Sequence, residues 1–215
     1  MTNKSNEYTF PFDTCERPSE NGIVAQPYSV FFNCISILIT IYFLTKTKHS
    51  YSFALVLAIF VFQLFHQFSH VVHIEGKIQT YIIHSLAIVV NFFYLYALYK
   101  FTKVFPSTRF LLYAAFLLAL DMYALLNLPF VFYFFTQILL LTSTFIYYNK
   151  WMPSYYQKTL PYIIGSSFFV FLVFVNESLN CKYMLSMYPN FPFHALTEVL
   201  GIIPFYLILS VFHRL

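Results

Sequence analysis

Residues 51–73 run YSFALVLAIFVFQLFHQFSHVVH, without a single Asp, Glu, Lys or Arg. Crossing the hydrocarbon core of a bilayer takes roughly 20 apolar residues in helical form. The stretch is long enough, and it lacks the alternation of a barrel strand. It predicts a transmembrane helix. Similar runs occupy residues 28–45, 77–99, 109–126, 130–148, 160–178 and 191–212, the fourth and fifth separated only by Asn127-Leu128-Pro129. Seven spans leave about 50 residues between Pro27 and Leu215 for six short loops. The expected fold is an all-α membrane protein, a seven-transmembrane-helix bundle. It forms a single domain over residues 1–215, with 1–27 as an extracytoplasmic N-terminal segment.

Composition supports this. Of 215 residues, 60% are hydrophobic, 29 are Phe and 19 Tyr, against 12 basic and 8 acidic side chains, and mean hydropathy is +0.68. Such a chain cannot cover itself with a water-facing surface. Disorder, a collagenous fibre and a disulfide-stapled mini-protein are excluded, and a net charge of +4 is too thinly spread for nucleic acid. Alternate loops hold Lys46 and Lys48; Lys100, Lys103 and Arg109; Lys150 and Lys158; and Arg214, while the other side holds Lys4, Arg17, Lys77 and Lys182 with most carboxylates, Glu177 among them. Basic residues favour the cytosolic side, so the N-terminus is expected outside or in a lumen and the C-terminus in the cytosol. That fits an endomembrane (ER or Golgi) or cell-membrane protein.

Ionisable groups within spans are costly and are functional candidates by default. Ser69 and His73 are four residues apart at the outer end of span 2, His194 and Glu198 four apart at the start of span 7, and His84 lies near the same depth on span 3. Three helices thus bring three imidazoles and a carboxylate to one level, the nitrogen and oxygen inventory that zinc prefers. His66 sits deeper and His70 points off the Ser69–His73 stripe, so both read as hydrogen-bonding interface residues. Asp121 in span 4 reads by default as packed against hydroxyls, with a supporting role to the metal as its sharper reading.

The sequence resembles the alkaline ceramidases, within the seven-helix membrane hydrolases that include adiponectin-receptor-like proteins. Three stretches carry the resemblance: Asp13-Thr14-Cys15-Glu16 with Asn21 and Phe31-Phe32-Asn33-Cys34-Ile35-Ser36; Ser69-x3-His73 with His84; and Asn176-Glu177-x3-Cys181 followed by Phe193-His194-Ala195-Leu196-Thr197-Glu198. His84 stands where the family has aspartate, and Glu198 where it has a second histidine, so the total of three histidines and one carboxylate is kept. The resemblance implies a zinc site with two wirings open. In one, His73, His194 and Glu198 hold zinc and His84 is the base. In the other, His73, His84 and His194 hold it and Glu198 handles the water. It also implies a disulfide between Cys15 and Cys181 and a calcium loop using Asp13, Glu16 and Asn21, although Val30 stands where the family has a helix-1 carboxylate.

The implied activity is zinc-dependent hydrolysis of a lipid amide such as ceramide, to a sphingoid base and a fatty acid, facing away from the cytosol. Ser69 would donate to the developing oxyanion, with His84 or Glu198 moving the proton. A phospholipid or lysolipid esterase of the same superfamily, a non-catalytic lipid-binding receptor and an inactive relative are the alternatives.

Overall fold

The computed structural model describes residues 15–16, 24–72 and 76–215, and the side chains of 76, 77, 79 and 80 lie outside the description. Helix makes up 86% of the described residues, and no strand occurs among them. Seven helices follow one another: α1 (Pro27–Lys46), α2 (Ser50–Val71), α3 (Gly76–Thr102), α4 (Thr108–Asn127), α5 (Phe130–Tyr148), α6 (Ser154–Met187) and α7 (Phe193–Phe212). Each is long and apolar enough to cross a membrane, which makes this a multi-pass membrane protein.

Burial is inverted relative to a water-soluble bundle. Between 22% and 39% of each spanning segment is buried, while Leu38, Phe116, Tyr162 and Leu179 are among the large apolar side chains left on the outside. In α1 the buried residues are Ser29, Asn33, Ser36, Thr40 and Phe43, a stripe at three- and four-residue spacing that turns polar groups inward. Small residues there let helices approach closely.

The helices close into a ring. α1 packs against α2 and α7, α7 against α6, α2 against α3, and α5 joins α6 to α3, while α4 lies mainly on α5. One end of the ring is an apolar plug. Phe43 and Leu55 join Tyr94, Phe145, Tyr156 and Phe212 in a buried cluster, with Phe212 centred 5.0 Å from Tyr94 and 5.3 Å from Phe145. The polar stripe of α1 runs into this plug at Phe43. Among the described residues, the buried histidines and carboxylates lie toward the other end.

Two elements depart from expectation. α3 continues to Thr102, and α6 runs 34 residues where a span of 160–178 is expected. Hydropathy falls at Asn176-Glu177, but nothing there breaks a helix, and the next proline is Pro189. Hydropathy reports where lipid ends, not where hydrogen bonding along the axis ends. At 1.5 Å per residue α6 is about 51 Å long. Its last turns therefore extend past the bilayer core of about 30 Å.

Candidate metal site

The site begins at the C-terminal end of α2 and the N-terminal end of α7. His66 and His70 are one turn apart on α2, and His194 and Glu198 one turn apart on α7. Their functional atoms converge. Glu198 Oε1 lies 3.2 Å from His194 Nε2, 3.5 Å from His70 Nε2 and 3.6 Å from His66 Nε2, and the two α2 histidines have their Nε2 atoms 3.1 Å apart. Ligand atoms of His66, His70 and Glu198 all lie within 4.8 Å of one another, so this group can hold a metal ion.

The opposite ring nitrogens are fixed by buried acceptors. His70 Nδ1 is 2.6 Å from Gln26 Oε1, and His194 Nδ1 is 2.8 Å from Glu177 Oε1. Each Nδ1 therefore carries a proton, and in the neutral imidazole, the form that binds a metal, the lone pair sits on Nε2. Gln26 is held in turn, its Nε2 donating to the Glu16 carbonyl at 3.2 Å and its backbone N–H to that of His70 at 3.0 Å. Glu177 accepts from Thr197 Oγ1 at 2.8 Å and from the Cys15 backbone N–H at 2.8 Å. Outer partners that fix tautomer and ring plane accompany histidines that bind metals.

With His70 and His194 neutral, their Nε2 lone pairs turned toward a carboxylate oxygen in a buried pocket are repelled by it. His194 Nε2 has no hydrogen-bond partner among the described residues, being near Glu198 but out of alignment. A cation between them removes the conflict. The spacing fits one: zinc–nitrogen bonds of about 2.0–2.1 Å in a tetrahedron put ligand atoms about 3.3 Å apart, close to the 3.1, 3.5 and 3.6 Å that separate His66 Nε2, His70 Nε2 and Glu198 Oε1 and to the 3.2 Å from Glu198 Oε1 to His194 Nε2. The residues present fit the metal.

The site opens on a cavity of about 330 Å³, lined by His66, His194, Thr197 and Glu198 at the polar end and by phenylalanines such as Phe62, Phe130, Phe174 and Phe205 elsewhere. Polar groups also reach its wall: Asn33, Ser36, Gln63, Tyr133 and Gln137.

Sequence-predicted residues distribute unevenly around this centre. His194 and Glu198 are in it, and His73 lies outside the described residues, as do Asp13 and Asn21. Ser69 is buried, but its hydroxyl donates to the His66 carbonyl at 2.6 Å and it does not line the cavity. His84 is buried against Tyr133, edge to face at 5.9 Å, and is not part of the cluster. Asp121 pairs with Gln137, whose Oε1 accepts from Asn91 Nδ2 at 2.9 Å, and so does not support the histidines. Glu16 receives hydrogen bonds from Ser29 Oγ and, at 3.1 Å, the Tyr28 N–H, which caps the start of α1.

His66 and His70, read from the sequence as hydrogen-bonding interface residues, do hydrogen-bond to each other and His70 to Gln26, and both also face α7, with Nε2 atoms 3.6 and 3.5 Å from Glu198 Oε1. Glu177, counted among the outer charges, is buried under His194. Its position on a helix that outruns its apolar segment was the available signal. Cys15 and Cys181 are disulfide-bonded with Cα atoms 5.4 Å apart, which ties residues 15–16 to α6 beside Glu177. No protein-family model, curated protein or solved structure matches the chain. The likeness to ceramidases rests on the residues quoted for it.

Proposed function

We propose that the protein is a zinc-dependent hydrolase that cleaves the amide bond of a ceramide-like lipid from within the membrane. The observation that carries this reading is the convergence of three imidazole Nε2 atoms within 3.6 Å of one carboxylate oxygen, at the polar end of an otherwise mainly apolar cavity. His66, His70 and His194 would hold the metal. Zinc supplies a Lewis acid for the amide carbonyl and a water acidic enough to react near neutral pH.

The chain's own groups do the rest. Gln26 and Glu177 keep the Nδ1 protons in place. Glu198 Oε1 takes a proton as water adds to the carbonyl carbon, then delivers it to the nitrogen as the C–N bond breaks, giving carboxylic acid and amine. The phenylalanine-lined cavity receives the acyl chain and keeps bulk water from it. Ser69 and His84 have no part in this version.

Orientation supports an outward-facing site. Lys46, Lys48, His49, His213 and Arg214 gather at the plug end of the bundle, and the rule that basic residues stay cytosolic directs the His/Glu end to a lumen or the cell exterior. Endomembrane and cell-membrane residence both accord with that.

One observation favours a second reading. Glu198 is as near to each histidine as they could be to a fourth ligand, and four protein ligands make a closed, structural zinc site. The protein would then be a lipid-binding receptor. Fatty-acid release from ceramide, measured beside phospholipid in the zinc-loaded protein, decides: release from ceramide supports the amidase, release from phospholipid alone transfers the reading to an esterase, and no release supports the receptor. In the amidase, Glu198→Gln keeps zinc and loses at least about 100-fold in turnover, as removal of a general base does.

A further inference from the structure

The cavity wall carries polar groups that the proposed chemistry does not use. Asn33 Nδ2 on α1 and Gln63 Oε1 on α2 are buried atoms with no hydrogen-bond partner among the described residues, and both residues line the cavity. Gln137 on α5 lines it too, clamped between Asn91 and Asp121. Buried polar groups in folded proteins are almost always paired. A donor and an acceptor left open on one cavity wall call for a polar occupant.

Their depth is informative. Counted from the outer helix ends at 1.5 Å per residue, His66 and Glu198 lie about 7–8 Å in, whereas Asn33, Gln137 and Gln63 lie about 9–12 Å in. Gln63 is one turn inward from His66 on the same face of α2. The carboxamides therefore sit on the bilayer-centre side of the metal site, where an acyl chain must run. The open groups specify the occupant's chemistry: Asn33 Nδ2 donates and Gln63 Oε1 accepts. A hydroxyl can satisfy both, whereas a carbonyl satisfies only the donor.

We propose that Asn33 and Gln63, backed by Gln137, form a specificity belt that recognises a hydroxyl on the acyl chain, a few bonds inward from the scissile carbonyl. The preferred lipid amides then carry a hydroxylated fatty acid. This rests on the amidase reading for the word "scissile", but the belt binds whether or not turnover follows. A site built to hydrogen-bond a hydroxyl discriminates strongly against the analogue that lacks it, because its own buried groups are left unpaired.

The test is binding of matched lipid amides to the purified full chain in nanodiscs, by displacement of a fluorescent lipid. One ligand bears a hydroxyl near the carbonyl end of its acyl chain. A second lacks it, and a third carries its only hydroxyl on the amine side. The hydroxyacyl ligand is expected to bind at least about ten-fold tighter than both others. Gln63→Leu and Asn33→Leu should each shrink that preference by at least about five-fold, with zinc content unchanged. Equal binding of the three ligands by the wild type overturns the proposal, as does a preference that survives both substitutions; either means that the belt is merely hydrated. If one variant does not fold, the other and the wild-type ratios decide. Absence of fatty-acid release would instead count against the amidase alone.

Discussion

Among single residues, Glu177 tests the support beneath the metal site. Its carboxylate accepts from His194 Nδ1, Thr197 and the Cys15 amide at once, so no neighbouring group can replace it. Glu177→Gln keeps the size but turns an acceptor-only group into one with two donors, setting an N–H against Nδ1–H or leaving an acceptor lost. Zinc affinity should fall about 10- to 100-fold, as for outer partners of metal-binding histidines; a competition titration with a chromophoric chelator reads it. Unchanged affinity would mean that the His194 ring is held by packing alone. His194 and Glu198 were legible in the sequence because their four-residue spacing survives any small error in helix phase. His66 and His70 were not, since knowing which α2 histidines meet Glu198 requires knowing where α7 lies, and that is a tertiary fact.

For single elements, α7 and the α6 tether make separate predictions. Gly201 lines the cavity, and a Cβ there would meet nothing within 4 Å. Gly201→Ala should keep or raise thermal stability, since alanine is the better helix former by about 0.5–1 kcal/mol, whereas Gly201→Phe should fill cavity space and cut long-chain lipid binding at least about ten-fold, judged by fluorescent-lipid displacement. Full binding by the Phe variant would place the lipid elsewhere. The Cys15–Cys181 bond closes 166 residues of chain separation, and Cys15→Ser with Cys181→Ser should cost about 2–4 kcal/mol of stability, seen as a lower melting temperature in detergent; no change would mean that hydrogen bonds hold residues 15–16 by themselves. The helices themselves were legible to within a few residues from hydropathy. α6 was the exception, because polar residues end a span without ending a helix.

Seen as a whole, the molecule divides into a closed end and an open one. The aromatic plug around Phe212 seals the end that bears Lys46, Lys48 and Arg214, while the polar cluster and the cavity occupy the other. A cysteine-reactive, membrane-impermeant label should therefore reach a cysteine placed at Leu179 on α6, 74% exposed, only from the side opposite the cytosol; labelling from the cytosol would invert the orientation. Seven spans and their alternating charge were visible in the sequence because the bilayer sets a length scale and the basic loops a sign. Which buried carboxylate serves which histidine was not, because Glu177 and Asp121 look alike in sequence and differ only in their neighbours: His194 for one, Gln137 for the other.

The most direct measurement is zinc stoichiometry of the purified protein by mass spectrometry, wild type beside His66→Ala, His70→Ala, His194→Ala and His84→Ala. A zinc site built on His66, His70 and His194 predicts about one zinc per chain in the wild type and in His84→Ala, and at least about a ten-fold loss of affinity in each of the other three. A wild type without zinc, or zinc lost from His84→Ala while His66→Ala and His70→Ala keep it, would contradict it.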